Sequence, residues 1–201
     1  MYIPKHFEIT DEELIYEAIE KYSFATLFSQ HQGEPCATHL PLTLKREENA
    51  LYGHFARTNG QWKDIENQQV LVVFQGPHCY ISPSWYETSK AVPTWNYVSV
   101  HVYGKVAIVE DPKLVFDSLD EMVNKYEAAD SPYNLKGTDT GYIDSMMKGI
   151  VPFKINITKT EAKAKLSQNH PEERQKLVVK NLESTSDQNN LEIAELMKRN
   201  L

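Results

Sequence analysis

Thr94 to Glu110 reads TWNYVSVHVYGKVAIVE, with Val98, Val100 and Val102 alternating against Ser99, His101 and Tyr103. Period-two alternation among β-branched and aromatic residues is the signature of a half-buried strand, and this stretch is long enough to bend around a barrel, with Gly104 marking the bend. Working outward, QVLVVFQG (residues 69–76) is a continuous apolar run that suits a central strand buried on both faces. Further upstream, SFATLFSQ, CATHLPLTL and ALYGHFA are separated by the turns HQGEP and KREEN and read as three short antiparallel strands. Downstream, GIVPFKINITKTEAKAKL returns to strand chemistry, whereas PHCYISPSWYETSKAVP, with its three prolines, reads as a long loop.

Helices flank these strands. TDEELIYEAIEKY opens with Thr10 as N-cap and Glu13 three positions on, followed by apolar residues at helical spacing. Asp111 and Pro112 cap and open KLVFDSLDEMVNKYE, and the tail after Asn169 reads as two helices parted by ESTSDQN. At least six strands with hairpin spacing and few helices favour a mainly β fold, a β-barrel with flanking helices, over a parallel sheet. No G-x-G, P-loop or G-x-S-x-G pattern occurs, which excludes nucleotide binding by those routes. Residues 1–168 form the barrel domain with its N-terminal helix, and residues 169–201 a helical extension packed on the same unit.

The formal charge of −7 argues against a general sheath of nucleic acid and leaves room for a local basic face. Lys159, Lys163, Lys165, Arg174, Lys176 and Lys180 make residues 159–181 the best phosphate-facing patch available. Cys36 and Cys79 fit no metal or redox spacing and read as buried or half-buried thiols, with no disulfide suggested. The opening MYIPKHFEITDEEL lacks the charged and apolar segments of an export signal, and no run approaches the roughly 20 apolar residues of a membrane span. A cytoplasmic chain without membrane contact is expected.

Two clusters carry chemistry. In GHFARTNGQWKDI, a strand ends in Arg57, Thr58 and Asn59 and a short helix begins near Gln61, which gathers a guanidinium, a hydroxyl and amide donors at one corner. Such a corner suits a phosphate; a capped surface helix beside a solvated arginine has the same pattern. The second cluster gathers Gln75, His78, Tyr80, Trp85, Tyr86, Trp95, Asn96, Tyr97 and His101. Aromatic walls with a few amides suit a flat heteroaromatic ring, and equally a barrel core or a dimer interface. His39 and His54 read as cross-strand neighbours, but spacing specifies no third ligand, so no metal is expected.

The order of MYIPKHF, ATHLPL, GHFARTNGQW, VLVVFQGPHCYISPSWY, VPTWNYVSVHVYG and KLSQN resembles the PaiB-type FMN-binding negative transcriptional regulators of protease production and sporulation, over nearly the whole chain. The resemblance implies the FMN-binding split barrel with a helical C-terminal tail, and a homodimer with flavin sites at the subunit interface. It places His39 on a strand lining the flavin and His54, Arg57, Gln61, Trp62 and Lys63 where phosphate-binding residues occur. Gln75, Trp95 and Asn96 correspond to ring-facing groups. Where the wider superfamily frequently has Ser-Arg-Lys, this chain has Gln61-Trp62-Lys63. DNA contact is implied through the resemblance alone.

Two other functions fit the same features. One is a flavin-dependent oxidoreductase of the pyridoxamine phosphate oxidase-like class, with SPSWYETSKAVP covering a substrate. The other is a haem-binding split barrel using His39, His54, His78 or His101 as an axial ligand. No residue stands out as a catalytic base, so catalysis stays unassigned.

Overall fold

The computed structural model describes residues 1–201. Seven strands form one sheet: β1 (Phe24–His31), β2 (Glu34–Pro41), β3 (Thr43–Lys45), β4 (Ala50–Ala56), β5 (Gln69–Ile81), β6 (Thr94–Ile108) and β7 (Ile150–Lys165). Their order is β2-β1-β5-β6-β7-β4-β3. The first and last strands of that order, β2 and β3, are parted only by Leu42, whose N–H is bonded to the Ser23 carbonyl at 2.9 Å. A sheet whose two edges are joined through one residue must curl until those edges meet, which makes it a barrel.

Contacts divide the chain into two units. One comprises Ile19–Val73 and Val102–Thr160 and contains the closed part of the barrel together with α2 (Pro112–Tyr126) and α3 (Thr140–Met147). Its interior is filled by Leu27, Leu42, Leu51, Phe55, Val72, Phe153 and Ile155, with the rings of Phe55 and Phe153 4.7 Å apart. Register follows the period of two: Ala25 and Leu27 point inward, and Phe24, Thr26 and Phe28 point out. The β1–β2 hairpin turns through Gln32 (φ 54°) and Gly33 (φ 81°), the left-handed pair that a tight antiparallel connection requires. Gly104 lets the neighbouring strand come close: a Cβ there would lie 2.5 Å from the Asn156 carbonyl oxygen.

The other unit comprises Met1–Ala18, Phe74–His101 and Glu161–Leu201. The outer ends of β5, β6 and β7 carry α4 (Glu172–Glu183) and α5 (Gln188–Lys198). Cys79, Ile81 and Leu166 pack with Val178, Leu182, Ile193 and Met197 into one buried cluster. Asp187 caps α5 by accepting the Asn190 N–H.

Several local readings shift. The helix α1 (Glu12–Lys21) is capped by Asp11, which accepts the N–H groups of Glu13 and Leu14, and not by Thr10. Leu42 splits CATHLPLTL into two strands, so the region read as three strands holds four. β5 runs on through Pro77 to Ile81, into the stretch read as loop. Pro77 is tolerated there because β1 pairs with Leu71–Val73, and a missing N–H four residues further on removes nothing from that ladder. Asp111 does cap α2, accepting the Lys113 N–H at 2.9 Å.

Candidate functional site

The corner of the barrel unit is built on β4 and the 3₁₀ turn Gly60–Lys63, which Asn59 caps by accepting the Gln61 N–H at 2.9 Å. Gln61 is buried and its amide is spent inside the protein: Nε2 donates to Ser29 Oγ at 2.8 Å, and Oε1 accepts from Thr38. Asn59 donates to the same threonine at 2.9 Å. This network ties the turn to the inward face of β1 and β2. Arg57, before the turn, and Lys63, at its end, are both exposed.

Arg57 donates from Nε to the Lys148 carbonyl (2.6 Å) and from Nη2 to the Ile150 carbonyl (2.7 Å), leaving Nη1 for a ligand. Trp62 steadies it twice: its indole N–H donates to the Arg57 carbonyl at 2.9 Å, and its ring lies 5.9 Å from the guanidinium. At the far end of the turn, Asp64 accepts from His31 (2.9 Å) and from the Gln32 N–H (2.9 Å). Those bonds hold its carboxyl below the usual range, so it stays anionic and limits the positive field to Arg57 and Lys63.

His54 is half-buried on β4, opposite Pro152. Burial pushes its imidazole pKa down, which keeps it neutral near pH 7. His39 is exposed on β2, opposite Thr26 and stacked on Phe24 at 6.5 Å. The two histidines are therefore not cross-strand partners.

In the other unit, His78 and Tyr80 flank the exposed ring of Trp95 at 6.3 and 6.1 Å. Gln75 is exposed on the same strand as His78 and Tyr80. Asn96 points the opposite way, as strand alternation demands. It is fully buried, donating to Ser167 Oγ at 3.0 Å and accepting from the same hydroxyl at 3.2 Å. Trp85 and Tyr86 pack against the buried cluster under α4 and α5 and do not join the exposed rings. Sequence reasoning gave no sign of Ser29, Thr38 or the Lys148 and Ile150 carbonyls, because acceptors and hydroxyls of that kind occur everywhere along a chain.

The donor chemistry at the corner fits the phosphate end of a flavin mononucleotide. Arg57 and Lys63 supply charge, the exposed Thr58 a hydroxyl, and nothing in the protein occupies Nη1.

The chain is similar to several known proteins. The family model described as "Putative FMN-binding domain" matches residues 1–159. The Bacillus subtilis (strain 168) "Protease synthase and sporulation protein PAI 2" is 42% identical over 205 residues, covering 100% of this chain and 98% of that protein. A Saccharomyces cerevisiae protein is 37% identical over 139 residues, covering 56% of this chain and 82% of its own. Among solved structures, the flavocytochrome Anf3 from Azotobacter vinelandii superposes with a TM-score of 0.62 at 14% identity, over 81% of this chain and 72% of that one. The FAD and heme binding protein from Mycobacterium smegmatis gives 0.59 at 11% identity, over 84% and 78%. These two likenesses concern the fold, which is the split barrel with flanking helices. With a family model spanning most of its length and a relative this similar from end to end, the chain belongs to the FMN-binding family, a relative of protease synthase and sporulation protein PAI 2 with FMN as its cofactor.

Proposed function

We propose that the chain is a homodimeric FMN-binding regulator that represses protease synthesis and sporulation, holding its flavin by the phosphate at the Arg57–Lys63 corner. The observation that carries this reading is the 42% identity, along the whole chain, with a protein named for protease synthesis and sporulation. When bound, FMN supplies a planar redox-active ring and a dianionic phosphate. Arg57 and Lys63 act on the phosphate, and neutral His54 offers a ring N–H without adding charge. Gln61 and Trp62 position those groups, since their own polar atoms are engaged within the protein. His39 is the exposed group of the barrel unit assigned to the flavin ring, while Asn96 is buried in the other unit and bonded to Ser167.

Direct reading of DNA is not part of the proposal. Lys163 is buried and donates to the Tyr2 carbonyl at 3.2 Å, and Lys165 donates to Thr94 and to the Trp95 carbonyl. Arg174 is paired with Glu87, and Lys176 with Glu172. The basic run from Lys159 to Lys180 is thus mostly turned inward or neutralised, so regulation is assigned to the bound flavin or to a protein partner.

Titration with FMN and with riboflavin tests the site. FMN should bind more tightly, and Arg57→Ala should bring the two affinities together; equal affinities for the unaltered protein would remove the phosphate from this corner. For the regulatory role, the chain is expressed in a Bacillus subtilis strain lacking PAI 2. Restoration of the parental level of secreted protease is expected. Failure to restore it by a protein that still binds FMN would reject the role while leaving the cofactor in place.

A further inference from the structure

A cavity of about 400 Å³ opens in the unit that carries the C-terminal helices, and every residue around it belongs to that unit. The volume lies within the range of small-molecule sites. Its charged lining is one-sided: Lys90, Lys165, Arg174 and His170 border it, and no carboxylate does. The remaining wall includes Phe7, Tyr86, Ala91 and Val92, with Thr94, Ser167 and Asn169 as neutral polar groups. In a chain of net charge −7, a pocket with this balance is a local inversion of the protein's field.

The donors at the cavity differ in how far they are already used. Arg174 is committed: Nε and Nη2 grip the Glu87 carboxylate, the guanidinium lies 5.0 Å from the Tyr86 ring, and Nη1 reaches His170 at 3.5 Å. Lys165 is not. Its ammonium donates to Thr94 Oγ1 and to the Trp95 carbonyl, which uses two of its three N–H bonds, and it has no acidic partner. A half-buried cation without a counter-charge is costly, and burial together with Lys163 pushes its pKa down accordingly. An anion in the cavity would offset that cost.

We propose that this cavity is a second ligand site, separate from the flavin corner, that takes a small monocarboxylate with an apolar or aromatic body. The carboxylate meets the remaining N–H of Lys165, and the body lies against Phe7, Tyr86, Ala91 and Val92. A monoanion is favoured over a phosphate monoester because, apart from the exposed Lys90 ammonium, the charged donors of the cavity are nearly spent: Arg174 is tied to Glu87 and Lys165 keeps one N–H.

The full-length protein saturated with FMN is titrated calorimetrically with phenylacetate, phenylethanol and phenyl phosphate. Phenylacetate is expected to bind saturably, at least tenfold more tightly than either of the others. Lys165→Met should weaken phenylacetate tenfold or more. Because Lys165→Met also loses two internal hydrogen bonds, Ala91→Trp provides a second variant. Ala91 lies in a loop, and an indole there should fill the cavity and abolish phenylacetate binding without disturbing a strand or helix. Four results would overturn the proposal: no saturable phenylacetate binding, phenyl phosphate or phenylethanol binding as well as phenylacetate, unchanged binding in both variants, or loss of FMN affinity in Ala91→Trp. The last would mean that the cavity is not independent of FMN binding, whereas failure at the Arg57 corner alone leaves this test untouched.

Discussion

Gln61 has the side chain expected of a ligand-binding residue and the surroundings of a core residue. Its amide satisfies Ser29 and Thr38 from a position that is 1% exposed, so removing it strands two hydroxyls as well as opening a void. Gln61→Ala is expected to destabilise the protein by roughly 2–4 kcal/mol in urea unfolding, with any loss of FMN binding following the loss of structure. His54 gives a pH prediction at the same scale. Its pKa lies below the ordinary 6.5 because burial disfavours the charged form, so below pH 6.5 the unfolded chain takes up a proton that the folded chain resists. Stability contributed by the neutral imidazole is complete above that value and declines as the pH falls through it. His101 and His170, also lowered by burial, act with the same sign. His54→Gln should therefore flatten, in part, the fall in unfolding free energy between about pH 8 and pH 5. An unchanged slope would show that His54 titrates alike in both states. Glu20, held down by its bond to Arg46, acts in a lower window: its contribution is present above 4.5 and lost as pH drops below it.

At the scale of elements, capping gives the cleanest test. Asp11 accepts two N–H groups at the start of α1, and Thr10 accepts none there. Asp11→Ala should cost about 1 kcal/mol of stability and Thr10→Ala close to nothing, both read from denaturant midpoints; the reverse order would make Thr10 the cap after all. The helix itself was legible because Leu14, Ile15, Ala18 and Ile19 recur at helical spacing, but two acceptors one residue apart compete for the same N–H groups, and only geometry decides between them. Strands β4, β6 and β7 were legible for a similar reason, since alternation or an unbroken apolar run leaves few other readings. The end of β5 was not. Pro77 and the polar residues after it carry loop chemistry, and what permits a strand is the missing partner on one side, a fact of topology. α3 also escaped notice: Thr140–Met147 is short and mixed in character, with Ile143 its one buried residue. At the candidate site, the charged and aromatic types were legible, but their directions were not. Trp95 and Asn96 are neighbours in sequence and lie on opposite faces of β6.

For the molecule as a whole, the outward face of β1 and β2 stays unsatisfied in a single chain. Phe24 is 66% exposed and Phe28 42%, with Thr26 between them, and their partners across the ladder are Pro41, His39 and Ala37. This is a nearly uncharged surface on a chain of net charge −7. A two-fold copy would cover each ring with the same patch of its partner, and burying a phenylalanine is worth about 1.5–3 kcal/mol. Since the two copies carry like charge, association must be driven by that apolar contact against long-range repulsion, and added salt should strengthen it by screening. This sign is opposite to that of a nucleic-acid complex, which salt weakens. Sedimentation at micromolar concentration should therefore give a dimer whose dissociation constant falls modestly with salt. Phe28→Glu should yield a monomer with native circular dichroism, because the side chain points away from the barrel core. A native chain that sediments as a monomer would reject the dimer. If Phe28→Glu remains dimeric, the interface lies on another face, and the exposed rings of β1 are left to contact the flavin or another protein.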